Sequence, residues 1–314
     1  MISFVFIDGI GYGKDDSEKN PFSRFATDFF LPLTERKFPQ GSIFSKGEML
    51  VTDAGMGIEG LPQSATGQTA MWTGINTARV MKRHISGYPT FTLKKIIAEY
   101  SILKILNEQG MKAEFLNCYS PVYIEHIKKS QRHLSASTFI QLASGKPFKN
   151  LDDLRQNRGI YMDITHRILK QIAGKNLPKN DPLLEEKDPY ERGALLAEIM
   201  QDYDFSIYEF FLTDKAGHAQ DWEFAEEVIL CLEGFMRGLI ENFPKEGQLI
   251  LTSDHGNLED LSEGKHTRNS VPTYLYGKHT EFFKTRIKSL YDIPLAIYEL
   301  LNINVNPYWD VIED

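Results

Sequence analysis

The stretch Phe205-Ser206-Ile207-Tyr208-Glu209-Phe210-Phe211-Leu212-Thr213-Asp214-Lys215-Ala216-Gly217-His218 decides the fold class. Phe205–Leu212 is apolar almost throughout instead of alternating, which marks a strand covered on both faces. It runs straight into a cluster that carries an aspartate and a histidine. Five further short runs have strand character: Ile2–Ile7, Met49–Thr52, Ala113–Asn117, Gln248–Thr252 and Pro272–Tyr276. Helix-length patterns lie between them. Leu93–Gln109 stops at Gly110, a C-terminal stop signal. Tyr190–Asp202 leads into the Phe205 run, and Trp222–Asn242 into the Gln248 run. Alternation of strand and helix predicts an α/β three-layer sandwich around a mostly parallel sheet.

The chain has 314 residues, 42% hydrophobic and 25% charged, a composition that excludes disordered, collagenous and fibrous classes. That length is near the point where one core stops growing, so one large domain with an elaboration is expected. Residues 121–189 break the strand–helix rhythm with a basic stretch, Lys128 to His133, and a Pro/Asn/Lys-rich piece, Gly174–Pro189. They read as a mostly helical cap, which leaves 1–120 and 190–314 as the core. A net charge of −8 makes nucleic acid and anionic membranes poor partners. Cys118 and Cys231 lie in apolar segments and read as buried, reduced thiols. The Ile2–Ile7 run lacks a basic flank and ends at Asp8, so it reads as a strand, not a signal peptide. No segment approaches the ~18 uninterrupted apolar residues of a membrane helix. The expectation is a cytoplasmic protein.

Ligands of open α/β sheets bind beyond the carboxyl ends of the strands. There the chain places Asp8, Asp214 with His218, Asp254 with His255, and, just before the last strand, His266. An aspartate after a strand is often only a cap or turn former, and a lone histidine is commonly a surface residue. The conjunction of three aspartates and three histidines at one sheet edge points instead to metal ligation. Mixed carboxylate and imidazole donors suit zinc or manganese, with magnesium a third option. Six ligands exceed what one ion needs, so two divalent ions are implied. Gly9, Gly11 and Gly13 have the wrong spacing for a dinucleotide fingerprint. Leu61–Gly74 reads as a loop entering a helix, with Ser64 at or near the N-cap. Its hydroxyl is either a simple cap or a phosphoryl acceptor activated by a metal, placed where free N–H groups favour an anion.

This ordered set resembles the alkaline phosphatase superfamily, and most closely the metalloenzyme core of cofactor-independent phosphoglycerate mutase and phosphopentomutase. The resemblance covers roughly residues 1–80, 101–118 and 190–300. It implies that Asp214, His218 and His266 hold one metal. Asp254 and His255 look like the pair of the second, and Asp8 like the first-strand metal aspartate. Ser64, rather than the nearby Thr66, looks like the nucleophile and like a metal ligand itself, because it stands three residues before Gly67 and nine before Thr73-Gly74. The mutases follow that glycine with histidine, where this chain has Gln68. They also insert a large domain after the nucleophile helix, where this chain has only Asn76–Tyr100. After the third strand, Cys118-Tyr119-Ser120-Pro121 stands where they place a substrate lysine.

The resemblance therefore implies a two-metal phosphoryl-transfer enzyme, foremost a phosphatase acting on a small phosphorylated metabolite through a phosphoserine. A phosphomutase and a non-catalytic metal-binding relative are the alternatives. Arg83, Lys215 and Arg268, with Arg132 in the cap, are basic candidates for contacting substrate, and each is equally a solvated surface charge. The Cys/Ser-x-Pro-x-Arg motif of sulfatases is absent around Ser64.

Overall fold

A computed structural model describes residues 1–311, so the last three residues of the expected core segment 190–314 lie outside the described residues. Eight strands form: β1 (Ile2–Ile7), β2 (Glu48–Thr52), β3 (Ala113–Phe115), β4 (Asn117–Cys118), β5 (Ile160–Tyr161), β6 (Phe205–Phe210), β7 (Gln248–Thr252) and β8 (Val271–Gly277). Six of them make one sheet in the order β2-β8-β7-β1-β6-β3. β1 pairs in parallel with both β6 and β7, Ile2 facing Phe205 on one side and Gln248 on the other. β3 is parallel to β6, and β8 runs antiparallel to β2 and β7. The sheet is mostly parallel, as the apolar runs predict.

The central strands are apolar because each face meets its own helical layer. Along β1, Ile2, Phe4 and Phe6 pack into one cluster with Trp72, Leu106 and Ile297. Val5 and Ile7 point the other way, into a cluster with Leu196, Leu232 and Phe235. A period of two with both phases apolar is the signature of a three-layer sandwich. On the second face, helix Pro189–Met200, capped by Asp188, lies against helix Trp222–Asn242, capped by Asp221. Backbone meets backbone there. A Cβ on Gly193 would stand 1.9 Å from the Phe235 carbonyl oxygen, and one on Gly238 would stand 2.0 Å from that of Tyr190. Gly193→Ala must push the helices apart and is expected to cost about 1–3 kcal/mol or more. Thermal denaturation should show a midpoint several degrees lower, and an unchanged midpoint would mean that the helices do not approach this closely.

Three expected boundaries move. The Leu93–Gln109 pattern is two helices, Phe91–Tyr100 and Ile102–Glu108, broken at buried Ser101, whose backbone is extended (ψ 124°). The third strand ends at Phe115, and Asn117-Cys118 turns away to pair with Ile160-Tyr161. The sixth ends at Phe210, because Leu212–Ala219 is a helix that puts Asp214 and His218 one turn apart. Cys118 is buried and Cys231 half-buried, and the two are not bonded to each other.

Residues 121–189 are mostly helical. Helix Ala136–Ser144 packs on helices Ser64–Thr73, Phe91–Tyr100 and Ile102–Glu108 and contributes Phe139 and Ile140 to the first-face core. The later part gathers around a small separate cluster of Leu151, Leu154, Tyr161, Leu169 and Leu183. No helix among the described residues is long and apolar enough to cross a membrane.

Candidate functional site

Strand ends and one helix start converge at the carboxyl edge of the sheet. Asp8 follows β1, and Asp254 and His255 follow β7. Asp8, Asp254 and His255 form one group of possible ligands, and Asp214, His255 and His266 another; the donor atoms within each group lie within 4.8 Å of one another. His255 Nε2 stands 3.4 Å from Asp8 Oδ1 and 3.5 Å from Asp254 Oδ2. Its ring stacks on that of His266, with centroids 3.6 Å apart. His218 joins the second group: its Nε2 is 3.4 Å from Asp214 Oδ2 and 3.1 Å from His266 Nε2. Gly9 makes this packing possible. It takes a left-handed backbone (φ +71°), and a Cβ there would fall 2.7 Å from the Asp214 Cβ.

The donor chemistry fits cations. His218 Nδ1 lies 3.1 Å from the Gly264 carbonyl oxygen, and His266 Nδ1 lies 3.0 Å from that of Pro62. Carbonyl oxygens only accept, so both Nδ1 atoms carry the proton and both Nε2 atoms turn lone pairs toward each other. Two lone pairs at 3.1 Å call for a positive charge between or beside them. Asp8 Oδ1 and Asp254 Oδ1 are buried without a hydrogen-bond partner. Burial, followed by the Asp254 and Asp214 charges, pushes the Asp8 carboxyl well above the usual range. Burial likewise pushes Asp254 up to about 6. His255 is held down to about 3 by burial and so is neutral at pH 7, as a metal ligand must be. Crowded, half-satisfied carboxylates of this kind are relieved by bound dications.

Ser64 is the first residue of helix Ser64–Thr73. The N-cap position belongs to Gln63, and no side chain caps the helix. Ser64 Oγ instead lies 2.9 Å from His255 Nε2, at the Asp8 and Asp254 group. Thr66 is fully buried; its Oγ1 donates to the Gln63 carbonyl and accepts from the Ile85 N–H. The free N–H groups expected at this helix start are in use, since Ala65 and Thr66 both donate to the Ile85 carbonyl oxygen (3.1 and 3.4 Å). Anion attraction by this helix end is correspondingly weaker than its sequence suggests.

Four residues that sequence reasoning did not assign to the site support it. Gln68 donates its amide to Asp8 Oδ2 (3.3 Å) and Asp254 Oδ2 (3.0 Å), clamping two carboxylates together. Asn257 Nδ2 donates to Asp214 Oδ1 at 2.7 Å. Buried Glu259 accepts from the Gly11 and Asn257 N–H groups and fixes the loops on both sides. Glu209, pushed up to about 7 by burial, lies inside β6. Its signal was visible: an acidic residue within an apolar strand needs a reason.

Beside the clusters lies a cavity of about 490 Å³, whose lining includes Asp8, Gln68, Asp214, Lys215 and Glu209 from the core and Tyr123, His133 and Tyr161 from the 121–189 segment. Lys215 is exposed, with its ammonium 4.8 Å from the Phe211 ring centroid. Arg83, Arg132 and Arg268 are exposed and are not part of this lining; Arg268 donates to the Gly60 carbonyl oxygen.

Comparison with known proteins agrees with this arrangement. Residues 184–305 match the family model of the Metalloenzyme superfamily. The 2,3-bisphosphoglycerate-independent phosphoglycerate mutase of Coxiella burnetii is 28% identical over 131 residues, which are 38% of this chain and 25% of the mutase. The chain thus matches about a quarter of the length of that relative. In fold, the alkaline phosphatase of the Antarctic bacterium TAB5 superposes with a TM-score of 0.53 at 14% identity, covering 97% of this chain and 98% of the phosphatase. The PH0037 protein of Pyrococcus horikoshii superposes with a TM-score of 0.55 at 12% identity, over 97% and 98% of the two chains. The stretch that matches the Metalloenzyme superfamily model carries Asp214, His218, Asp254, His255 and His266, it is similar in sequence to part of a cofactor-independent phosphoglycerate mutase, and the whole described fold resembles that of an alkaline phosphatase.

Proposed function

We propose that the chain is a two-metal-dependent phosphoryl-transfer enzyme, foremost a phosphatase acting on a small phosphorylated metabolite through a phosphoserine at Ser64. The observation that carries this reading is the Ser64 hydroxyl 2.9 Å from His255 Nε2, set against a group of carboxylates with unsatisfied oxygens. Asp8, Asp254 and His255 would hold one ion, and Asp214, His218 and His266 the other. Manganese or zinc suits these donors best, with magnesium as the alternative. Bound dications would lower the pKa of the hydroxyl and offset charge on the phosphoryl oxygens. Ser64 Oγ forms its bond to phosphorus as the ester oxygen departs in line and takes up a proton. Water then cleaves the phosphoserine, releasing phosphate and restoring the hydroxyl. Gln68 and Asn257 keep Asp8, Asp254 and Asp214 in register throughout. The free thiols of Cys118 and Cys231 suit a reducing, cytoplasmic compartment.

Return of the phosphoryl group to a second hydroxyl of the substrate would make the enzyme a mutase, a reading favoured by the phosphoglycerate mutase relative. A panel of phosphate monoesters presented to the Mn²⁺-loaded protein, scored for phosphate release and for isomerisation, separates the two. Release of phosphate is the expected result. Metal bound in stoichiometric amount with no turnover of any ester, an aryl phosphate included, would instead indicate a non-catalytic relative.

A further inference from the structure

Glu209 is not among the proposed metal ligands, yet it is a buried carboxylate in the lining of the 490 Å³ cavity. One side-chain oxygen accepts from Ser137 Oγ at 2.6 Å. Its backbone is clamped by the Asn117 side chain, which donates to the Glu209 carbonyl oxygen (2.7 Å) and accepts from its N–H (2.8 Å). This clamp stands where the β3–β6 ladder has ended, so Glu209 is held rigidly by a device that β3 itself no longer provides. Across the same cavity the rings of Tyr119 and Tyr123 stack 5.4 Å apart at 13°, and the Tyr123 hydroxyl is tied to Thr138 at 2.9 Å. The cavity therefore presents a fixed hydrogen-bond acceptor and a flat aromatic wall beside the metal-ligand candidates.

We infer that Glu209 is a specificity-determining residue, and that the cavity takes phosphate monoesters whose alcohol part is uncharged and hydroxyl-bearing, such as a sugar or polyol, while rejecting those that carry a carboxylate or a second phosphate. The inference rests on the phosphoryl-transfer reading for the position of the phosphate. Three aspartates and two dications account for the phosphate end. Tyrosines and Cys118 aside, the titratable groups that remain at the cavity are buried Glu209 and, in solvent, Lys215 and His133. A buried carboxylate acts through less screening than an ammonium in solvent, so the balance toward the alcohol part is repulsive to anions. Cations bound at the neighbouring groups would favour the ionised form of Glu209. Hydroxyl groups donate to its oxygens, and the apolar face of a sugar ring lies well on tyrosine. The volume falls in the range of small-molecule sites.

Matched pairs test this: glucose 6-phosphate against 6-phosphogluconate, and glycerol 3-phosphate against 3-phosphoglycerate. On the Mn²⁺-loaded enzyme, kcat/KM should favour the neutral member of each pair by about 30-fold or more. Glu209→Gln should shrink that ratio by about tenfold, whatever its effect on overall rate. The same four compounds titrated calorimetrically into Mn²⁺-loaded Ser64→Ala protein read the selectivity without any chemistry. Selective binding with no turnover of any ester, aryl phosphate included, would sink the phosphatase reading and leave this one standing. Turnover without selectivity, selectivity unchanged in Glu209→Gln, or binding of neither member of a pair would overturn it.

Discussion

Ser64→Ala should abolish phosphate release, by about 10⁴-fold or more, while leaving both metals bound in stoichiometric amount. The size of the effect follows from the role: removing Oγ removes the atom that takes the phosphoryl group, and no neighbour replaces it. Thr66 is two residues away, but its hydroxyl is bound on both sides, to Gln63 and Ile85, and is fully buried. Folding should be nearly unaffected, because Ser64 Oγ has one hydrogen-bond partner, His255, and caps nothing. Turnover and metal content measured on the same preparation decide the matter. Full activity in the variant would transfer the nucleophile to Thr66. Loss of metal along with activity would recast Ser64 as chiefly a ligand.

Removing the metals should abolish activity, lower the thermal midpoint on the order of 10 °C, and invert the pH dependence of stability. Each ion held at 100 times its dissociation constant stabilises by about 2.7 kcal/mol, and there are two sites. The inversion follows from the carboxyl groups. In the metal-free protein the folded-state pKa of Asp8 is raised, that of Asp254 reaches about 6 and that of Glu209 about 7. The folded protein thus holds protons more tightly than the unfolded chain. The stability this provides is complete below the ordinary carboxylate range and is lost as pH rises through 6 and 7. His255, held down to about 3, acts oppositely, but its contribution changes below pH 6.5 and is nearly flat above it. Metal-free protein should therefore melt lower at pH 8 than at pH 6. Metal-loaded protein should melt higher at pH 8, since ligands must be deprotonated to bind. Asp254→Asn should lose metal and activity together, and its stability should fall less steeply from pH 6 to pH 8 than that of the metal-free protein, because one raised carboxyl is gone. Melting curves at the two pH values, with and without chelator, would show parallel slopes if Asp8 and Asp254 were not metal ligands.

The edge of the sheet was legible because a strand covered on both faces leaves a plain mark. An apolar run that stops at Asp8, or at Ser253-Asp254-His255, announces where a strand leaves the apolar layers for a buried polar site at the sheet edge. Helix Trp222–Asn242, with Asp221 before it and a regular apolar stripe, was equally plain. Gln68 and Glu209 were harder, since their roles depend on which carboxylates or cavity lie across from them, and that is settled by residues far away in sequence. The division at Ser101 was hidden for a related reason: Phe91–Tyr100 and Ile102–Glu108 each carry an apolar face, and only the change of direction between them ends the first helix. Tyr119 and Tyr123 stand four residues apart, but their place on the cavity wall depends on Thr138 of helix Ala136–Ser144, which holds the Tyr123 hydroxyl.

The position of β1 between β6 and β7 has a consequence for how the chain is made. Asp8 and its partner Thr213 are 205 residues apart, and Ile10 and Ser253 are 243 apart. At synthesis rates of about 5–20 residues per second, the first strand waits roughly 10–50 s for both of its neighbours to emerge. During that interval Ile2–Ile7, apolar on both faces, has no sheet to enter and is open to pairing with other nascent chains. β1 thus waits for both β6 and β7 before its place in the sheet is complete.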